Sequence, residues 1–289
     1  MKSFDYSAPS SVADVISLLG AHPGAMLLAG GTDLLVQMRA ARKQPDFVID
    51  IKRVAEMNAL HYDAAAGLTL GASVPCCNVY EDKTVRTLYP ALSETAALIG
   101  GIQIQGRASI GGNLCNAAPS ADSVPTLIAL SAVANVAGPA GSRQIAVEDF
   151  CVAPGKNCLA PGEILVSLSI PAPAAGSGAH YLRFIPRNEM DIAVAGVGAS
   201  VVIGGGVFKA ARVALASVAP TPLFVREAGE SLVGKAVSDE AIEAAAELAK
   251  AAAKPITDMR GTAEYRKHLC AVLTRRALHT AVKRAQGVH

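Results

Sequence analysis

Two glycine pairs, about eighty residues apart, constrain this chain more than any other feature of its sequence. The first lies in the run Ala-Gly-Gly-Thr-Asp at residues 29–33, and the second in Ser-Ile-Gly-Gly-Asn at residues 109–113. Each pair follows a short apolar segment. A Gly-Gly step lets the backbone turn through conformations that are closed to other residues, and successive N–H groups in such a turn form an anion-binding nest. Two nests predict a site that grips the two phosphates of a dinucleotide without a lysine.

The composition indicates a protein of roughly two domains and argues against a nucleic-acid partner. The chain has 289 residues, enough for two cores. Its net charge is +2, with acids and bases interspersed, whereas a nucleic-acid footprint needs a basic face or stripe. Tryptophan is absent and aromatic residues make up only 4%, which disfavours base-stacking platforms.

The same sequence predicts a cytoplasmic protein without a transmembrane segment or a metal site. Residues 1–6 lack the apolar core of a signal peptide. The longest uncharged stretch, residues 192–208, contains five glycines and is more typical of strands and a turn than of a membrane span. The six cysteines show no C-x-x-C spacing and the six histidines are scattered, so we expect buried free thiols and no zinc or iron.

Local patterns predict a compact α/β unit at the N-terminus. Ser11 fits the cap of a first helix. A strand at residues 26–28 then leads into the first glycine pair, and a helix at 34–41 and a strand at 47–51 follow. The glycine turn lies at the carboxyl end of a strand, where α/β sheets commonly place ligands.

The remaining patterns predict a second unit, a linker and an α+β C-terminal region. For the second unit we predict strands at 68–72, 144–147 and 163–170 and helices at 90–99 and 122–133. Residues 171–178, with two prolines and small side chains, read as the linker. Strands at 181–185, 192–203 and 207–218 are followed by two helices capped by Ser238 and Thr262, an order typical of an α+β domain.

The wider pattern resembles the FAD-binding medium subunit of the molybdenum hydroxylases, the family of xanthine dehydrogenase and aerobic carbon monoxide dehydrogenase. The second glycine run continues as Leu-Cys-Asn-Ala-Ala-Pro-Ser-Ala-Asp to residue 122 and is the most specific match. Further matches are Arg183, Arg187 through residues 191–193, and the run at residues 259–266. The resemblance covers essentially the whole chain.

This resemblance implies an α+β fold with a FAD-binding domain of two subdomains, of the vanillyl-alcohol oxidase (PCMH) type. A small domain with a three-stranded antiparallel sheet and helices would follow it. The corresponding bounds are residues 1–176, with subdomains at about 1–55 and 56–176, and residues 177–289.

The resemblance also implies which residues bind the cofactor. The two glycine segments would wrap the pyrophosphate, Asp122 would accept hydrogen bonds from flavin or ribityl groups, and Ile99 and Leu165 would pack against the cofactor. Arg183 stands where the family often has a lysine near the flavin. The implied set is Leu28, Ala29, Gly30, Gly31, Thr32, Asp33, Ile99, Ser109, Ile110, Gly111, Gly112, Asn113, Asn116, Asp122, Leu165 and Arg183. It contains no catalytic residue and no metal ligand.

Gln105 and Gly106 depart from the family's pattern just before the second glycine pair, and a cysteine follows the pair. The family often reads Ile-Arg-Asn-Arg where this chain has Ile-Gln-Gly-Arg at residues 104–107, so Gln105 removes one positive charge and Gly106 replaces an asparagine. Cys115 lies inside the glycine loop, where we interpret it as a small buried filler ahead of a redox role. We expect a bulky residue at Gly111 or Gly112 to abolish FAD binding with little loss of folding.

The function implied is that of an electron-transfer subunit. Substrate would be oxidised at molybdenum in a large molybdopterin subunit, and electrons would pass through [2Fe–2S] clusters of a small subunit to FAD here. NAD, a quinone or oxygen would accept them, in a dimer of heterotrimers that lies in the cytoplasm or meets the membrane only through the complex. The alternatives are a stand-alone FAD-dependent oxidoreductase and a non-catalytic assembly subunit.

Overall fold

Three sheets of three or more strands, each with covering helices, organise the chain in a computed structural model that describes residues 1–188 and 190–288. The first is a parallel sheet with the strand order β1-β3-β2. Its unit comprises β1 (Asp5–Ser7), α1 (Val12–Ala21), β2 (Met26–Leu28), α2 (Leu34–Arg39) and β3 (Phe47–Asp50). The Ser11 hydroxyl accepts a hydrogen bond from the Asp14 N–H at 3.1 Å, so the predicted cap of α1 is confirmed. Strand β1 was not predicted.

The second sheet is antiparallel throughout, with the strand order β4-β5-β10-β6-β7. Its strands are β4 (Leu60–Asp63), β5 (Gly67–Gly71), β6 (Val133–Gly138), β7 (Gly141–Ala146) and β10 (Ile164–Ile170), beside the hairpin β8 (Cys151–Ala153) and β9 (Lys156–Asn157). Between β5 and β6 the chain runs through α3 (Cys76–Glu81), α4 (Lys83–Leu88), α5 (Pro90–Leu98), α6 (Ile102–Gln105), α7 (Ile110–Asn116) and α8 (Ser123–Ala129). One buried apolar cluster joins this sheet to the helices and to the first unit.

The predicted helix at 122–133 is too long at its carboxyl end, because α8 stops at Ala129. Ser131 adopts a left-handed conformation with φ of 56°. Its N–H donates to the Ile128 carbonyl and the Ala132 N–H donates to the Leu127 carbonyl, the bond pattern of a Schellman motif. That motif usually carries glycine, so a serine there hid the helix end and the strand β6 that follows.

The third sheet is antiparallel with the order β11-β12-β13-β14 and packs against three helices. Its elements are β11 (Ser177–Phe184), β12 (Ala195–Gly204), β13 (Val207–Ala216), β14 (Leu223–Phe224), α9 (Arg226–Glu230), α10 (Asp239–Ala252) and α11 (Ala263–Ala285). The two predicted caps are confirmed: Ser238 accepts from the Ala241 N–H at 3.2 Å, and Thr262 from the Tyr265 N–H at 3.1 Å. The three long strands match the expectation, and β14 adds a two-residue edge.

The C-terminal sheet docks on the carboxyl end of α8. Ser200 Oγ donates to the Ala129 carbonyl at 2.6 Å, and Arg212 Nε donates to the Ile128 carbonyl at 2.8 Å. Carbonyls in the last turn of a helix lack their usual helical partners, and side chains of the small domain donate to these two, although the Ile128 carbonyl also accepts the Ser131 N–H. The docking therefore depends on polar contacts of defined geometry as well as on apolar packing.

Within residues 1–188 and 190–288, no helix is both long enough and apolar enough to cross a membrane. The same residues contain no group of three or more His, Cys, Asp and Glu side chains that could hold a metal ion. All six cysteines are free thiols.

Candidate functional site

A cavity of about 460 Å³ opens between the first unit and the second, and both glycine segments line it. One wall is built by the end of β2 and the start of α2, and the opposite wall by α7. Ile99 and Leu165 supply apolar surface between them. The fold thus brings together two segments that lie far apart in the sequence.

The first glycine segment is a turn that leaves its backbone donors free. Gly31 has a φ of +77°, in the left-handed region that favours glycine. The N–H groups of Gly30, Gly31 and Thr32 donate to no acceptor among the described residues. This arrangement agrees with the predicted anion nest.

The second glycine segment is helical and is not a nest, so that part of the prediction is wrong. Ser109 caps α7 by accepting the Gly112 N–H at 3.0 Å, and neither glycine has a positive φ. Glycine is required at Gly111 for another reason: a Cβ there would lie 2.3 Å from the Ala72 carbonyl oxygen. At Gly112 a Cβ would meet only Ser109 Oγ, at 3.0 Å. The segment therefore presents an anion with a helix start instead of a turn, and the N–H groups of Ile110 and Gly111 have no acceptor among the described residues.

Most of the residues predicted to bind the cofactor line this cavity. Those that do are Ala29, Gly30, Gly31, Thr32, Asp33, Ile99, Ser109, Gly111, Gly112, Asn113, Asn116 and Leu165. Leu28 and Ile110 lie behind the wall, in the apolar core. They support the segments from inside without lining the cavity.

Asp122 and Arg183 pair with each other outside the cavity lining. Arg183 Nη1 lies 2.6 Å from Asp122 Oδ2, and the Tyr181 hydroxyl donates to Asp122 Oδ1 at 2.7 Å. Burial raises the pKa of Asp122 even though the Arg183 guanidinium opposes this shift. The side chain of Arg183 is only 7% exposed, and its buried Nε has no acceptor among the described residues. Their contact with a cofactor stays a prediction.

The structure adds three polar residues that the sequence analysis missed. Lys43 is the only basic side chain among the described residues that line the cavity, and it follows α2 without any motif to mark it. Asn157, in the hairpin β8–β9, donates to the Cys115 carbonyl at 2.8 Å. Glu163 accepts from Arg143 Nε at 2.8 Å and from the Ala160 N–H at 2.7 Å, and these bonds lower its pKa to about 2. Only the fold reveals that these residues face the glycine segments.

Cys115 lines the cavity wall beside Asn116. Burial raises the pKa of its thiol to about 12, with smaller contributions from Cys151 and Cys158. A thiol with that pKa is protonated at neutral pH and is a poor nucleophile. Cys115 is half-buried rather than fully buried, so the expectation of a buried filler holds only in that its thiol is unreactive.

Gln105, one of the departures in residues 104–107, is buried and hydrogen-bonded. Its Nε2 donates to the carbonyls of Ala97, at 2.7 Å, and Ile99, at 3.3 Å. A neutral amide therefore satisfies the carboxyl end of α5 and holds Ile99 at the cavity. No charged side chain is needed at this point.

Two domain families, one for each part of the chain, together match nearly its whole length. Residues 2–173 match the FAD binding domain in molybdopterin dehydrogenase, and residues 180–281 match the CO dehydrogenase flavoprotein C-terminal domain. The chain is similar to the xanthine dehydrogenase FAD-binding subunit of Escherichia coli, with 31% identity across 98% of this chain and 97% of that protein. It is 33% identical to the carbon monoxide dehydrogenase medium chain of Afipia carboxidovorans, across 99% of each.

A solved structure extends the similarity to three dimensions. A chain of the carbon monoxide dehydrogenase from Hydrogenophaga pseudoflava superposes with a TM-score of 0.94 at 34% identity, covering 98% of both chains. The order and packing of the sheets are therefore those of a known flavoprotein architecture.

Proposed function

The chain belongs to the family of FAD-binding subunits of the molybdopterin dehydrogenases, and from this premise we propose that it holds FAD between its two glycine segments and passes electrons through it. The observation that carries the proposal is the convergence of residues 29–33 and 109–113 on one cavity. FAD is the cofactor and the complex is an oxidoreductase; the electron route and the partners' roles are the proposal.

The cavity fits the pyrophosphate of a dinucleotide. On one side are the free N–H groups of Gly30, Gly31 and Thr32, and on the other the start of α7. Helix starts and nests both favour anions. Lys43 adds a positive charge to the lining, which corrects the expectation of a phosphate site without a lysine.

The protein's own residues bind and orient the cofactor, and none is proposed to act as acid, base or nucleophile. When bound, FAD supplies a ring that exchanges electrons singly or in pairs, which suits a link between an iron–sulfur donor and an external acceptor. Ile99 and Leu165 provide apolar packing. We retain Asp122 and Arg183 as proposed flavin ligands because the buried Nε of Arg183 has no acceptor among the described residues.

We further propose that the donor is a small [2Fe–2S] subunit, reduced in turn by a large molybdopterin subunit, in a dimer of heterotrimers. The similarity of this chain to FAD-binding subunits and medium chains of dehydrogenases supports this assignment. The proposed acceptor is NAD, a quinone or oxygen, and the proposed location is the cytoplasm. We place the domain boundary at about residue 176, just before β11 begins.

The test is an absorption spectrum of the chain purified with whatever chains accompany it, followed by FAD titration of the apoprotein. Flavin bands with iron–sulfur absorbance and two accompanying chains are expected. Flavin reduced by a substrate in the isolated chain would support a stand-alone oxidoreductase instead. A chain that purifies with its partners but never binds FAD would indicate an assembly subunit.

A matched pair of variants ties the flavin to the cavity. Gly112→Val places a side chain at the lining and should abolish FAD binding while the apoprotein keeps its unfolding temperature. Gly106→Val is the control, because a Cβ at Gly106 meets nothing within 4 Å and the residue does not line the cavity. Full flavin content in Gly112→Val would refute the site.

A further inference from the structure

Arg107 connects the two glycine segments without lining the cavity. It lies two residues before the cap of α7, and its Nε donates to the Gly30 carbonyl at 3.0 Å across the boundary between the two units. Its own carbonyl oxygen would lie 1.8 Å from a Cβ at Gly30. Backbone and side chain of one residue therefore contact the same glycine.

The main chain around Arg107 is held firmly on the side of the second unit. Its N–H donates to the Ile104 carbonyl at 2.9 Å, and the next residue, Ala108, accepts from the Cys76 N–H at 2.8 Å. Its guanidinium thus extends from a fixed base toward a turn whose N–H groups have no acceptor of their own among the described residues.

The Gly30 carbonyl is the point at which this contact can orient the turn. A peptide unit has a carbonyl at one end and an N–H at the other, and the carbonyl of Gly30 shares its plane with the N–H of Gly31. Fixing the carbonyl toward Arg107 therefore fixes the direction of the Gly31 N–H, which is one of the free donors of the nest. A guanidinium donor makes this a charge-assisted hydrogen bond.

The surroundings of Arg107 show that its charge is not neutralised by an ion pair. Lys52 lies nearby and has its pKa lowered by burial and by the Arg107 guanidinium. No carboxylate among the described residues lies within ion-pair distance of Arg107. Among the described residues, the contact with the Gly30 carbonyl is the one hydrogen bond that the Arg107 side chain makes.

We propose that Arg107 is a positioning residue for FAD, which orients the Gly30–Gly31 peptide so that its N–H faces the cofactor's phosphates. This inference rests on the proposed function. Part of the affinity for FAD is thereby attributed to a side chain that does not line the cavity. The two units of the N-terminal domain then contribute jointly to one FAD site.

Two substitutions at Arg107 separate the hydrogen bond from the charge. Arg107→Met keeps an unbranched chain of similar reach without a donor. Arg107→Gln places a neutral N–H₂ on the same carbon, Cδ, that carries Nε in arginine. Arg53→Met is the control. Arg53 is exposed, makes no side-chain hydrogen bond among the described residues, and carries a charge that, like that of Arg107, acts on Tyr6.

The measurement is the Kd of FAD for the full-length apoprotein of each variant, with the unfolding temperature of each apoprotein alongside. We expect Arg107→Met to weaken FAD binding about 10- to 100-fold, the range for one charge-assisted hydrogen bond. Arg107→Gln should recover most of the loss, and Arg53→Met should stay within about threefold of the unsubstituted protein. Rescue by glutamine would not occur if Arg107 acted only through its charge or through the packing of its aliphatic chain.

Three results would overturn the inference: undiminished affinity in Arg107→Met, no rescue in Arg107→Gln, or an equal loss in Arg53→Met. An apoprotein of Arg107→Met that melts far below that of Arg107→Gln would also contradict it, because the effect would then lie in folding. If the unsubstituted apoprotein fails to bind FAD, the proposed function itself fails, and this result is distinct from the others.

Discussion

The two glycine segments share a dipeptide but not a physical role. Gly30 and Gly31 form a turn, in which Gly31 needs its left-handed φ and Gly30 needs to lie against the carbonyl of Arg107. Gly111 and Gly112 lie in the first turn of a helix with ordinary helical backbone, and Gly111 is required because it packs against the main chain of Ala72. A glycine pair in a sequence therefore indicates a constraint without saying whether it is conformational or steric.

The difference also changes which substitutions test the site. We expected that either glycine of the second pair could be replaced with little loss of folding. The contact between Gly111 and Ala72 makes Gly111 part of the folded core, so only Gly112 separates cofactor binding from stability.

The largest predicted effect is a loss of stability when Gly30 or Gly111, each of which packs against a backbone carbonyl, is replaced. Gly30→Ala and Gly111→Ala each place a Cβ within 2.3 Å of a carbonyl oxygen, and backbone cannot move aside as a side chain can. We expect each to cost about 3 kcal/mol of unfolding free energy, the upper part of the usual range for overpacking. Urea unfolding of the apoproteins measures this, with Gly106→Ala as the control. A Gly111→Ala protein as stable as the control would mean that helix α7 does not pack against Ala72 in solution.

Gly31→Ala should have a smaller cost in stability that is mainly conformational. A Cβ there meets the ends of the Leu28 and Leu35 side chains, which can shift, so the left-handed φ of +77° dominates. That conformation costs a non-glycine residue about 1–2 kcal/mol. The free energy of unfolding should fall by this amount, and Gly31→Asn, which tolerates the left-handed region better, should lose less. Equal losses for alanine and asparagine would contradict the conformational explanation.

The caps of two helices offer a third comparison. Ser109→Ala removes the acceptor for the Gly112 N–H, and Ser238→Ala removes the matching acceptor for the Ala241 N–H in the C-terminal domain. Each should lower stability by about 1 kcal/mol. Only Ser109→Ala should also weaken FAD binding, because only its helix starts at the cavity. A loss of FAD affinity in Ser238→Ala would show that the site responds to stability in general.

The smallest predicted effect is a pH dependence of protein stability that arises from Glu163, a residue of the cavity wall. The pKa of Glu163 in the folded protein, about 2, lies below the ordinary glutamate value. Its bonds to Arg143 and Ala160 therefore stabilise the protein at any pH above that ordinary pKa. This contribution should be lost as the pH falls from about 4.5 toward 2. Unfolding temperatures between pH 7 and pH 3 should decline less steeply in Glu163→Gln than in the unsubstituted protein. Identical slopes would remove Glu163 from the acid response.

Much of the fold followed from local signals. The helix caps at Ser11, Ser238 and Thr262 were predictable because a side-chain oxygen before an apolar periodic run has one common use. The end of α8 was not, since Ser131 takes a conformation that sequence rules reserve for glycine or asparagine. Short helices such as α6 and α9 carry too little periodicity to be recognised.

At the site, sequence determined the two glycine segments and their polar neighbours, and these do face one cavity. Lys43, Asn157, Glu163 and the contact between Arg107 and Gly30 could not be read from it, because each depends on elements that are distant along the chain. The tertiary structure alone decided that one glycine pair is a turn and the other a helix start. The reason is physical: glycine permits many backbone conformations, and only packing against Arg107 on one side and Ala72 on the other selects among them.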